Sequence, residues 1–262
     1  MVRWCTSPEA FGLLSESLPS ARWAVAAAPG GALVGMVGAV SLGKIGILCH
    51  LVVHPAHRGQ GLGTRLTRWA VPRLHSQGAE VVRLESTSEA EKLYEALGFR
   101  GVGRRILYRR GAKLKRLLAV GEGYRVSPLE AGDLPELYSV DRWSFGGDRS
   151  ALLAAIFQRH SGSGLLARDV TGRLAGYLFR SGDRLGPWKA WTPEAARALL
   201  GHVLVQGEGH GIEVMTPGSG PVHELLLELG FTGVPDRLRM ELGTYSEVAG
   251  FETYGLSPYL VT

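Results

Sequence analysis

The chain has 262 residues, 45% hydrophobic and 20% charged, with a net charge of +5 and two cysteines, Cys5 and Cys49. Such a length allows one or two domains, each able to bury a core, and so few cysteines exclude a disulfide framework. No apolar stretch approaches a membrane span, Met1 to Pro8 has no signal-peptide core, and the scattered histidines lack metal-ligand spacing, so a cytoplasmic protein needing no metal is expected.

In chain order, an apolar run from Ile47 to Val53 reads as a strand, stopped by His54-Pro55. Arg58-Gly59-Gln60-Gly61-Leu62-Gly63 follows, and from Thr64 to His75 the apolar Leu66, Trp69, Ala70 and Leu74 recur at helical spacing. The pattern is strand, glycine loop, helix. Glycines let the backbone approach a phosphate closely, and the unpaired amides and positive end of the new helix stabilise its charge. In a chain with 37 glycines the hexapeptide is weak by itself, and its setting gives it weight. A Walker loop would need Gly-Lys-Ser/Thr, which is missing. A dinucleotide fold would want Gly-x-Gly-x-x-Gly with an acid some twenty residues on; Glu85 falls near that distance, but the glycine spacing differs. A coenzyme A loop fits best.

Beyond Ser88 a helix should carry Tyr94 in Leu93-Tyr94-Glu95-Ala96-Leu97-Gly98-Phe99. The densest basic run comes next: Arg104, Arg105, Arg109, Arg110, Lys113, Lys115 and Arg116, broken by Ile106, Tyr108 and Leu114. It reads as a strand end passing into a connecting segment, a phosphate-adjacent or solvated face rather than a nucleic-acid surface. The second half echoes the first. Glu228-Leu229-Gly230-Phe231 matches Ala96-Leu97-Gly98-Phe99, and Thr171 to Leu178 matches Gly30 to Val37, in the same order at similar offsets. Such an echo indicates a duplicated fold rather than a solenoid, whose periods are far shorter.

Val52-Val53-His54-Pro55-Ala56-His57-Arg58-Gly59-Gln60-Gly61-Leu62-Gly63 resembles the cofactor motif of the GNAT family of acetyl-CoA-dependent N-acetyltransferases, and Leu93 to Phe99 is similar to its second signature. The resemblance covers about residues 23–110. It implies an α/β (α+β) fold of two tandem GNAT-like domains, each a strongly bent mixed sheet flanked by helices. Residues 1–117 would form an N-terminally abbreviated catalytic domain and residues 122–262 a degenerate copy with a substrate-pocket or structural role. Acetyl-CoA would be held by Leu51, Val52 and Val53 at the strand end and by Arg58, Gly59, Gln60, Gly61, Leu62, Gly63 and Thr64. Tyr94 matches the family's usual thiolate acid, against the plainer reading of a tyrosine packed under the sheet.

The base is less defined. Positions where the family places Glu or His fall on Ile47 and Cys49. His50 points to the other face in an ideal strand unless a bulge turns it, and Glu85 is the second candidate. Cys49, among apolar neighbours, reads as an inert thiol. At the motif positions of the second copy stand Ala190, Pro193, Ala195 and Leu226, with Thr192 as helix cap and Glu194 beside it, so one cofactor site is expected. Strings such as Leu84 to Thr87, Val140 to Arg149 and Leu185 to Ala190 resemble tandem members whose second copy is degenerate.

Up to Arg116 there are 17 basic and 7 acidic residues, leaving 12 and 17 for the remainder. A basic half suits a phosphorylated cofactor, and an acidic half facing the same cleft would attract a cationic amine. About twenty residues are missing before the first copy's echo glycine, the length of an opening strand and part of a helix. The second domain and the tail from Phe251 to Val261 are expected to close the pocket and cover the sheet edge. The expected activity is acetyl transfer from acetyl-CoA to a primary amine, most simply a small molecule, in a ternary complex of a monomer or homodimer. The alternative is a coenzyme A sensor or interaction module that has lost its base.

Overall fold

The computed structural model describes residues 8–111, 123–159, 162–206, 211–244 and 251–257. The first half contributes α1 (Pro8–Ser17), β1 (Ala21–Ala27), β2 (Leu33–Leu42), β3 (Ile45–Val53), α2 (Leu62–Ser76), β4 (Val81–Ser86), α3 (Glu91–Glu95) and β5 (Arg100–Arg110). The second contributes β6 (Arg125–Pro128), α4 (Leu134–Phe145), α5 (Ser150–Arg159), β7 (Gly164–Arg168), β8 (Leu174–Ser181), β9 (Arg184–Ala190), α6 (Pro193–Gln206), β10 (Ile212–Thr216), α7 (Val222–Glu228), β11 (Thr232–Gly243) and β12 (Glu252–Gly255). The duplication is visible in this order: β1 to β5 repeat as β7 to β11. The second half precedes its repeat with β6, α4 and α5, where the described first half has α1 alone.

All twelve strands form one sheet, in the order β1-β2-β3-β4-β11-β5-β10-β9-β8-β7-β6, with β12 against β9. The last strands of the two halves have changed places. β11 lies between β4 and β5, and β5 lies between β11 and β10, every contact antiparallel. At the centre of this exchange the alternating pattern Arg83-Leu84-Glu85 faces Arg239-Met240-Glu241, with Arg83 opposite Glu241 and Glu85 opposite Arg239. Opposite charges directly across an antiparallel pair favour this register, and a one-residue slip would turn them to the other face.

Three cores follow from the alternation of the strands. One lies under α2, where Val37, Ala39, Leu48, Val82, Leu84 and Met240 meet Leu66, Ala70 and Leu74. A second lies under α6 and α7. The third is shared: Val40, Leu42, Ile45 and Ile47 of the first half and Leu166, Tyr177 and Phe179 of the second enclose α1, α4 and α5. The face of the sheet opposite α2 is therefore walled by both halves.

Two parallel contacts in this sheet are short. β3 pairs with β4 only from Ile45↔Val81 to Ile47↔Arg83, and β9 pairs with β10 only at Arg184↔Glu213 and Leu185↔Val214. Beyond these points the strands separate. In the second half the opening is filled by the chain's own tail: β12 pairs with Trp188, Lys189 and Ala190 of β9, and the Leu256 amide donates to the Met215 carbonyl (2.8 Å) at the end of β10. The described part of the tail thus covers neither outer strand of the sheet, β1 or β6. The reason is geometric, since the splayed β9 offers unpaired backbone groups nearer the tail. Residues 258–261 of the expected tail lie outside the described residues.

Candidate functional site

His54-Pro55 ends β3 in a short 3₁₀ turn, Pro55–His57, where the His54 Nδ1 accepts from the Ala56 amide at 3.3 Å. The chain then rises through Gly59 and Gly61, whose φ values of 74° and 75° belong to the left-handed region. Open space surrounds both, so backbone conformation and not crowding calls for glycine there. Gly61 caps α2 without a side-chain hydrogen bond, and no acid stands in the first turn. The first-turn amides at Leu62, Gly63 and Thr64 therefore meet no capping side chain, the arrangement that receives an anion. Gly63 has a different reason: a Cβ there would come within 2.8 Å of Leu93 Cδ1 on α3. Arg58 is held beside this turn by donating Nε to the Val53 carbonyl at 3.1 Å. Leu51 to Val53 and Arg58 to Thr64 thus gather at one end of β3.

The matching turn of the second half is closed. Thr192 Oγ1 accepts from the Ala195 amide at 3.1 Å, and Glu194 lies in the first turn of α6. Side chain and charge occupy the place an anion would take.

Beyond Ile47 no strand pairs with the β4-facing edge of β3 among the described residues. Here the register of β2 and β3 jumps, from Gly38↔Cys49 to Met36↔Val52, so His50 and Leu51 together oppose Val37. His50 has a φ of 54°. This bulge corrects the expectation from ideal alternation: His50 shares the face of Ile47 and Cys49, against Trp23 (5.3 Å between ring centroids) and Phe11 (6.1 Å), while Leu51 and Val53 turn to the α2 core. Both imidazole nitrogens lack a protein partner, and burial pulls the ring down to about 4, so it is neutral near pH 7. Burial pushes the neighbouring Cys49 thiol up to about 12, which leaves it unreactive.

Tyr94, on α3, packs within the core under α2. It is 5% exposed, packs edge-on to Phe99 and keeps its proton firmly, through burial first and the nearby Cys49 second. The corresponding Leu226 of α7 is fully buried and has no hydroxyl. Glu85 lies on β4 with its side chain 4% exposed, bonded through Oε1 to Arg105 Nε at 2.9 Å, while Oε2 has no partner. Burial raises its carboxyl even though Arg105 and Arg239 oppose the shift.

On the sheet face shared by Ile47, Arg83 and Glu85 lies a cavity of about 490 Å³. A smaller one of about 160 Å³ adjoins it across a wall of Arg83, Arg105, Pro217, Ser219 and Arg239. From the second half Phe145, Arg149, Lys189 and Phe251 line the smaller cavity. The second half lines these cavities with charges of both signs, Arg149, Lys189 and Arg239 together with Glu241 and Glu252. The described part of the basic run is the end of β5, as expected: Arg104 and Arg109 are about half exposed and paired with Glu91 and Glu213, Arg105 is buried against Glu85, and Arg110 donates to the Leu229 carbonyl. Lys113, Lys115 and Arg116 lie outside the described residues. Sequence reasoning missed Arg83 and Arg239. The available signal was a charge at every second position of two otherwise apolar strands.

Among the described residues no cluster of His, Cys, Asp and Glu is arranged to hold a metal, and no helix is long and apolar enough to cross a membrane.

Residues 19–101 match one family model of the acetyltransferase (GNAT) domain, and residues 137–249 match another. No curated protein sequence matches the chain. Among solved structures it is similar to one described as a putative acetyltransferase from Pyrococcus horikoshii, at 22% identity and a TM-score of 0.77, over 97% of this chain and 84% of that one. A GCN5-related N-acetyltransferase from Sphaerobacter thermophilus gives 19% identity and a TM-score of 0.62, covering 86% and 82%. A tandem GNAT protein from the clavulanic acid biosynthesis pathway gives 16% and 0.60, covering 92% and 90%. At these identities the likeness speaks to the fold.

Proposed function

The chain belongs to the GNAT acetyltransferase family, with two such domains in tandem, and from that premise we propose that it moves an acetyl group from acetyl-CoA to a primary amine at one site in its first half. The observation that carries this reading is the contrast between the two helix starts: α2 opens behind left-handed glycines with no capping side chain, and α6 is capped by Thr192. By sequence the cofactor-binding unit is 1–117 and the second unit 122–262, the latter supplying part of the cleft wall.

Bound acetyl-CoA supplies the acetyl group. The amides of Leu62, Gly63 and Thr64 hold its diphosphate, with Arg58 beside them. The free edge of β3 from Leu51 to Val53 offers backbone donors to the acyl oxygen, which gains charge as the amine attacks. The amine enters from the cavity face. His50, neutral and unpartnered, or Glu85 with its free Oε2 takes the proton the amine must lose. Tyr94, buried and protonated, donates to the departing sulfur. Replacing Tyr94 by Phe is expected to lower kcat by about 10²-fold and leave acetyl-CoA affinity unchanged. Equal loss of both would make it a packing residue.

Calorimetric titration of acetyl-CoA into the wild type and Gly61→Glu tests the site. One molecule bound per chain, and none in the variant, is expected. Two sites, or binding that survives the substitution, would refute the assignment. Binding without acetylation of any amine in a broad panel would favour a coenzyme A sensor.

A further inference from the structure

One buried ion pair at the cleft is only half made. The side chains of Arg105 and Glu85 are 5% and 4% exposed, and Nε donates to Oε1 at 2.9 Å. A guanidinium presents Nε and Nη2 along one edge, and a carboxylate that takes this fork accepts at both its oxygens. Here the second bond is missing. Arg105 Nη2 and Glu85 Oε2 are both buried and, among the described residues, neither has a hydrogen-bond partner. The two charges answer each other, so what the pair lacks is hydrogen bonds and not a counter-ion. A hydroxyl supplies both from a single oxygen, accepting from Nη2 and donating to Oε2. The surroundings suit such a group. Arg105 lines both cavities, and the larger, at about 490 Å³, lies within the range of small-molecule sites. Part of its wall is the loop after β10, where a Cβ on Gly218 would collide with the Arg104 carbonyl oxygen, so glycine lets the loop lie against β5. Ser219 lines both cavities, and Val102, Pro217 and Pro235 add apolar surface to the larger one.

We propose that this cleft selects acceptor amines that carry hydroxyl groups, amino alcohols of the amino-sugar kind, one hydroxyl closing the fork between Arg105 and Glu85. The proposal rests on the acetyl-transfer reading for the fate of the amine, but not for the binding of the hydroxyl. Both unpartnered atoms are closed to solvent, so the hydroxyl enters by parting the side of the pair that Nε does not hold.

The test is calorimetric, on the full chain with coenzyme A present. D-glucosamine is the probe, and cyclohexylamine, a ring amine without hydroxyls, is titrated beside it. Saturable glucosamine binding is expected, with cyclohexylamine weaker by about tenfold or more. Arg105→Lys keeps the charge opposite Glu85 and removes the fork. It should weaken glucosamine by about tenfold and leave cyclohexylamine unchanged. No glucosamine binding, equal affinity for the two amines in the wild type, or a variant that weakens both alike would each overturn the proposal. Should the variant fail to fold, the wild-type comparison of the two amines still decides. Acetylation of both amines with equal kcat/KM would leave the transfer reading and remove this one. Selective glucosamine binding without acetylation of any amine would do the reverse.

Discussion

His50 is the one non-glycine residue with positive φ among those described, and that conformation costs an L residue on the order of 1 kcal/mol or more. What the bulge gains is placement of an imidazole beside Cys49 at the opening of the sheet. Its titration has a definite sign. Burial lowers the folded-state value from 6.5 to about 4, so between these limits the unfolded chain binds more protons, and stability falls as pH drops through that window. His50→Asn keeps a side chain tolerated at positive φ and does not titrate. Melting temperatures of wild type and variant should therefore diverge from pH 6.5 down to 4, with the wild type losing more. Parallel curves would mean the ring is hydrated and unshifted. Identity at this scale was partly legible in the sequence. The two glycines and Tyr94 announce themselves through local chemistry. The orientation of His50 depends on which residue of β2 faces it, and strand alternation alone assigned the wrong face.

At the scale of elements, the two halves carry the same opening between parallel strands and treat it oppositely. β3 and β4 leave it free beneath uncapped amides, whereas β9 and β10 have it filled by β12, with Tyr254 buried beside Trp188 (5.2 Å between centroids). Removing residues 251–262 uncovers Trp188 and takes away the buried Phe251, Tyr254 and Leu256, each burial being worth about 1.5–3 kcal/mol. A fall in melting temperature on the order of 10 °C is expected. Acetyl-CoA stoichiometry should stay at one, because Thr192 and Glu194 still close the start of α6. A second binding event in the truncated protein would show the tail, and not the helix cap, to be what silences that half. The degenerate motif positions and the Thr192 cap were readable from sequence. The course of the tail was not, since a short apolar segment near a terminus carries no record of which edge it will pair with.

At the scale of the molecule, the exchange of β5 and β11 makes one sheet from two copies, and neither copy completes its sheet alone. Residues 1–117 by themselves would leave β4 without β11 and β5 without either neighbour. Expressed separately, the two halves should be insoluble or molten, and the whole chain should unfold in a single calorimetric transition with coincident near- and far-ultraviolet signals. Two resolved transitions would show that the halves fold independently in spite of the exchange. Repetition was visible in the sequence, because the echoing strings keep their order and spacing. The exchange was hidden, because either copy's last strand satisfies the same alternation. The self-complementary Arg-x-Glu segments at 83–85 and 239–241 were the trace it left.

That exchange also sets a schedule. β5 emerges from the ribosome roughly a hundred residues before β10 and still further ahead of β11. At 5–20 residues per second the first half waits about 5–20 seconds with two strand edges unmet. During synthesis the molecule is thus at its most adhesive while β4 and β5 wait for partners that the ribosome has yet to release.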